Sequence, residues 1–246
     1  MDIYWLEQTT ADVPADNGWL SSAEQVRLSQ FHVAKRQADW RLGRWTAKCA
    51  VSAYLGLWGS APPRRTIEIL PATTGAPQVM VRNARAGLHI SLTHRDGTAA
   101  CVVAPAGVVG CDLEAIESRS AAFLADYFAT EEQGMFEVES PLDRDAIATL
   151  LWSAKESALK ALSTGLRLDT RSVVVNRRGA GKAGQAGAQG SWSSAAENGW
   201  SPLEVRHSDD QVFYGWWQRS GGFIRTVVAD PPPLRPRTLC VTLAAA

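Results

Sequence analysis

The stretch Val108-Val109-Gly110-Cys111-Asp112-Leu113-Glu114 constrains this chain more than any other. Two β-branched residues lead into a glycine, after which apolar and acidic residues alternate. Side chains two apart share one face of a strand. Asp112 and Glu114 are therefore expected to point the same way, with Cys111 and Leu113 turned into the core. Two like charges on one strand face repel unless a cation, or an Arg or Lys, sits between them. Carboxylate oxygens held in this way suit Mg²⁺, which takes one or two carboxylates together with phosphate oxygens and waters.

A second stretch, Leu150 to Lys160, reads as a helix, because it is rich in helix formers and contains neither Gly nor Pro. Trp152, Glu156 and Lys160 are spaced four apart and share a face. Leu151, Ala154, Ala158, Leu159 and Leu162 supply the apolar side. Glu156 is a candidate third carboxylate for the same ion, with Lys160 one turn along to meet an anion. The alternative is a strand whose carboxylates are salt-bridged and a helix with a routine Glu–Lys pair.

Taken together, Gly110-Cys111-Asp112-Leu113-Glu114 and Trp152-Ser153-Ala154-Lys155-Glu156-Ser157-Ala158-Leu159-Lys160 resemble the two signature motifs of the 4'-phosphopantetheinyl transferases, in particular the larger monomeric Sfp-type enzymes. The resemblance implies an α+β fold of two similar α/β halves related by pseudo-two-fold symmetry. The halves would be residues 1–105 and 106–246, joined near Pro105-Gly107, although no internal sequence repeat stands out. It also implies coenzyme A as co-substrate, Mg²⁺ held by Asp112, Glu114 and Glu156, and an apo acyl or peptidyl carrier protein as partner.

Composition narrows the field without identifying a site. The chain has 246 residues, 46% hydrophobic and 20% charged, with a formal net charge of zero. A neutral chain has no global basic field for nucleic acid or an anionic membrane, so phosphate binding must be local. No apolar run is long enough to span a bilayer. Cys49, Cys101, Cys111 and Cys240 show neither C-x-x-C nor metal-ligand spacing and, with no signal-like start, read as reduced core thiols of a cytoplasmic protein.

Along the chain, residues 2–7 read as an opening strand, and Ser21 or Ser22 as the cap of a helical region running to Leu55. Basic residues ride on that region, and the resemblance singles out Arg44 for coenzyme A phosphates. The loop Ala72–Pro77 is similar to a family loop ending in Gly-Lys-Pro, but Ala76 stands where the lysine would be. Residues 88–94 and 98–103 read as strands. Thr93 and His94, the latter eighteen residues before Asp112, match the family's Ser-His pair that touches coenzyme A. Phe128 to Glu132 reads as an ordinary helix start with Thr130 as cap. Gly165-Leu166 is expected to end the Trp152 helix, residues 179–199 to form a flexible Gly/Ala-rich loop, and residues 172–176, 203–206, 212–217 and 223–229 to be strands. The tail 239–243 is expected to pair on an edge.

The implied chemistry is attack by a carrier serine hydroxyl on a phosphorus of the coenzyme A pyrophosphate, releasing adenosine 3',5'-bisphosphate. Glu156 is the candidate base, directly or through water. Asp112 belongs to the metal cradle, and Lys155 and Lys160 are candidates to contact the departing phosphate. Two rivals remain at this point. One is a non-catalytic protein of the same fold that binds carrier proteins or coenzyme A. The other is a different Mg²⁺-dependent enzyme acting on a nucleotide pyrophosphate, which would lack any P-loop, Rossmann fingerprint or histidine cluster.

Overall fold

The structure, a computed structural model, describes residues 1–59, 61–136, 141–164, 168–176 and 199–241, with the Leu142 side chain left aside. Strands and helices are both abundant, and the fold is α+β. Contacts divide the chain into two units, one built on Asp2–Ala106 and the other on Gly107–Arg235.

The first unit opens with strand β1 (Tyr4–Thr9), whose Tyr4, Trp5 and Leu6 are buried. Helix α1 (Ser22–Ser29) starts from a reciprocal cap. Ser21 Oγ accepts from the Glu24 N–H at 3.3 Å, and Glu24 Oε2 accepts from the Ser21 N–H at 3.0 Å. The helical region expected to run on to Leu55 is broken before helix α2 (Ala34–Gly56). At the break Phe31 is buried, with the guanidinium groups of Arg27 and Arg36 at 5.3 and 4.9 Å from its ring.

Strands β2 (Ile67–Pro71), β3 (Pro77–Val81) and β4 (Ala84–Arg85) form a small antiparallel sheet. Sequence reading overlooked β3 and β4 because their turn, Arg82-Asn83, contains no glycine yet has positive φ at both residues. Strands β5 (His89–Arg95) and β6 (Thr98–Ala104) extend β1 into the order β1-β6-β5, and α2 packs its Trp45, Ala47, Ala50 and Val51 side into the core beside them.

The second unit begins with β7 (Val108–Ala115), followed by α3 (Ala121–Tyr127), α4 (Thr130–Gln133) and α5 (Pro141–Ala161). Strands β8 (Val173–Val175), β9 (Ser201–His207), β10 (Val212–Ser220) and β11 (Phe223–Asp230) complete an antiparallel sheet of order β7-β11-β10-β9-β8. Helix α5 lies on this sheet, and Leu150, Leu151, Ala154, Ala158 and Leu159 share one core with Val173, Val205, Phe213 and Val228. Met1 belongs here too, because its amino group donates to Pro232 O at 2.8 Å.

The described tail from Pro236 returns to the first unit, where β12 (Arg237–Thr238) pairs in parallel with β1. The units therefore meet in sequence at Ala106/Gly107, and residues 236 onward depart from the expected 106–246 assignment. Helix α5 stops at Ala161, and Ser163 takes the left-handed conformation (φ 57°) often filled by glycine. Gly165-Leu166 lies outside the described residues, as does all of the expected loop except Gly199. Cys49, Cys101 and Cys111 are buried free thiols, whereas Cys240 is exposed and so is not the core thiol expected. No helix among the described residues is long and apolar enough to cross a membrane.

Candidate active site

Gly110 sets the distance between β7 and α5. A methyl group built there would lie 1.8 Å from Ser157 O and 2.7 Å from Ala161 N, so only glycine admits the helix this close. The approach brings Lys160 across to β7, where its ammonium donates to Asp112 Oδ1 at 2.7 Å and to Cys111 O at 3.0 Å. Lys160 is thus tied to Asp112, and is not an idle partner of Glu156 on its own helix. Burial works against its charge, but the Asp112 carboxylate more than compensates and holds the Lys160 pKa above its usual value.

On the same strand face Glu114 accepts from Trp152 Nε1 at 3.2 Å and faces Arg119 Nη2 at 3.7 Å. Trp152 is held edge-on by Phe123 and Tyr127 of α3, with ring centroids 5.1 and 5.3 Å away. Beneath the site, Ser153 Oγ and Ser157 Oγ lie 2.9 and 2.7 Å from Thr226 Oγ1 of β11, the residue paired with Asp112. These hydroxyls satisfy one another and fix the rotation of α5 on the sheet.

Glu156 Oε1 is buried and has no hydrogen-bond partner among the described residues. Burial first, and then the charges of Asp112 and Glu114, raise its pKa to about 7, with Lys160 opposing the shift. Asp112, Glu114 and Glu156 are therefore electrostatic neighbours, and oxygen donors of this kind fit a hard divalent cation. Among the described residues, however, no group of three or more His, Cys, Asp or Glu side chains is arranged to hold a metal ion. Asp112 and Glu114 each already face a cationic side chain.

Lys155 does not join the site. Its side chain is 0% exposed, and the ammonium is surrounded by Glu132 Oε2 at 2.7 Å, Thr170 O at 2.9 Å and Val173 O. A contact with a departing phosphate, one of the sequence-based expectations, is incompatible with this burial. Glu132 is equally buried and also accepts from the N–H groups of Ala129 at 2.9 Å and Val175 at 3.0 Å. Burial pushes Glu132 up and Lys155 down, and each partner's charge opposes the other's shift. The expected Thr130 cap is in fact the first residue of α4, and Glu132 ties the helix start to β8 through the core.

The first unit contains the same device. Glu24 is buried, pairs with the fully buried Lys48, and accepts from the Ile69 N–H of β2 at 3.2 Å. Lys48 also donates to Trp19 O at 2.9 Å. The separations from glutamate to strand N–H, 45 and 43 residues, nearly match. The sequence carries a signal for this likeness: Trp45-Thr46-Ala47-Lys48 in α2 repeats as Trp152-Ser153-Ala154-Lys155 in α5. Counted from the lysine, α2 offers Cys49 and Ala53 where α5 offers Glu156 and Lys160. Burial raises the Cys49 pKa, opposed by the nearby Arg64 charge.

The other expected coenzyme A contacts lie in the first unit. Arg44 is mostly committed internally. It donates to Ile69 O, lies 3.9 Å from Glu24 and stacks on Trp40 at 4.8 Å. Burial lowers its pKa despite Glu24. Thr93 and His94 are neighbours on β5, so they face opposite ways, Thr93 buried and His94 exposed.

A family model described as the 4'-phosphopantetheinyl transferase superfamily matches residues 108–206, a span that includes β7 and α5. The chain is also similar to the 4'-phosphopantetheinyl transferase HetI of Nostoc sp., with 26% identity over 149 residues. That match covers 60% of this chain and 61% of the relative.

Proposed function

We propose that this chain is a member of the 4'-phosphopantetheinyl transferase superfamily and that it transfers the phosphopantetheine arm of coenzyme A to a serine of an apo acyl or peptidyl carrier protein, as an Sfp-type enzyme acting as a cytoplasmic monomer. The observation that carries this reading is the placement of Glu156, a buried carboxyl with an unpartnered oxygen, as an electrostatic neighbour of Asp112 and Lys160.

In this reading Glu156 accepts the proton of the serine hydroxyl, directly or through one water. The serine oxygen forms a bond to phosphorus, the bond to the adenosine 3',5'-bisphosphate oxygen breaks, and Lys160 stabilises charge on that departing group. The Lys160–Asp112 bond keeps the ammonium beside β7 while this happens. Asp112, Glu114 and Glu156 would hold Mg²⁺, which when bound neutralises the pyrophosphate. His94 and the small exposed part of Arg44 are assigned to the anionic end of coenzyme A, with Thr93, buried on the opposite face of β5, left to position the strand. Ala76 contributes no cation there.

Incubating the protein with coenzyme A, Mg²⁺ and a panel of apo-carriers, then measuring intact carrier mass, tests the proposal. A gain of one phosphopantetheine on at least one carrier is expected. Tight binding of coenzyme A or carrier without any mass gain would instead identify a non-catalytic binding protein.

A further inference from the structure

Arg119 lies between β7 and α3, outside both sequence motifs. Its side chain is only 15% exposed. Nη1 forms an ion pair with Glu117 Oε1 at 2.9 Å, and the guanidinium sits 5.0 Å from the Phe123 ring centroid. Nη2 stands 3.7 Å from Glu114 Oε2, within ion-pair range but without a hydrogen bond, and both Nε and Nη2 are buried with no hydrogen-bond partner among the described residues. Unsatisfied buried donors are costly, so this is not the geometry of an optimised structural ion pair. It differs sharply from Lys155, whose ammonium meets three acceptors.

We infer that Arg119 is an internal competitor for the divalent cation, neutralising Glu114 when the ion is absent and lowering the protein's affinity for it. The inference rests on the metal-holding reading of Asp112, Glu114 and Glu156. A cation entering beside Glu114 must work against the positive charge 3.7 Å from Oε2. Arg119 can yield at little cost, because one ion pair with the half-exposed Glu117 and one ring contact are what hold it apart from Glu114. Lys160, bonded to both Asp112 and Cys111 O, is held more firmly and stays with the reaction.

The test is direct Mn²⁺ binding, followed by the electron paramagnetic resonance of the free ion, with no carrier or coenzyme A present. Arg119→Gln is expected to tighten binding about three- to ten-fold, whereas Arg119→Lys, which keeps the charge, stays near wild type. In a Glu114→Gln background the gain from Arg119→Gln should shrink, because the interaction it relieves is gone. Equal or weaker binding by Arg119→Gln, with Glu156→Gln still weakening the wild-type affinity, overturns the inference and leaves the metal site standing. Absence of Mn²⁺ binding in both the wild type and Arg119→Gln overturns the metal reading and this inference together. Circular dichroism of each variant separates these outcomes from misfolding.

Discussion

Helices α2 and α5 carry nearly the same short run, Trp-Thr-Ala-Lys-Cys in one and Trp-Ser-Ala-Lys-Glu in the other, and part company at the residue after the lysine. In both, the lysine is fully buried and holds a buried glutamate that starts a short helix and clasps a strand N–H. That glutamate–lysine pair is framework. One residue later the helices diverge. Cys49 faces Gln8 and Arg64, while Glu156 faces Asp112, Glu114 and Lys160. A shared motif lysine therefore marks the fold, and the neighbouring position is where the proposed chemistry would sit.

The largest effect expected from this comparison is on stability. Lys155→Met leaves the buried Glu132 carboxylate without its counter-ion, which costs about 3–5 kcal/mol; Lys48→Met is expected to cost somewhat less, because Arg44 stays 3.9 Å from Glu24. Urea denaturation of both variants checks this. A large loss in one and none in the other would break the equivalence of the two pairs.

Gly110→Ala comes next. Its new methyl would overlap Ser157 O, so α5 must shift off β7, at a cost of about 3 kcal/mol. The shift should also part Lys160 from Asp112. The same denaturation assay, read beside transfer activity, should show activity falling further than stability alone explains.

Smaller is the pH dependence. Glu156 has a folded-state pKa of about 7 against an ordinary 4.5, so folding favours its protonated form. The penalty is absent below the unfolded value, grows as pH rises between the two, and is complete above about 7. Its size is about 3 kcal/mol. Glu156→Gln should consequently stabilise the protein at pH 8 by about that amount and change little at pH 4, measured as the shift in urea midpoint. Mg²⁺ added to the wild type at pH 8 should recover much of the difference.

The strand and helix that carry the candidate site were legible because their signals are local. Alternating acids on β7 and the four-residue spacing of Trp152, Glu156 and Lys160 are backbone periodicities. What escaped was set by packing. Lys155 and Glu156 are adjacent in sequence, but a helix turns about 100° per residue, and that turn puts one in the core and the other in the site. Glu132 looked like a simple helix-start residue, because its strand partner Val175 is 43 residues away. Arg119 lay outside any motif, and its nearness to Glu114 depends on the path of the chain after β7. The Trp-x-Ala-Lys repeat was visible in the sequence, but it gained meaning only once both lysines proved to hold equivalent glutamates.

The most direct test of the claim that the chemistry resides after the lysine of α5 alone is the single-turnover rate of phosphopantetheine transfer to an apo-carrier, measured for Glu156→Gln and Cys49→Ala. Glu156→Gln is expected to lose about a thousandfold at saturating coenzyme A, and Cys49→Ala to stay within about twofold of wild type. A Glu156→Gln variant that transfers at near wild-type rate would contradict it.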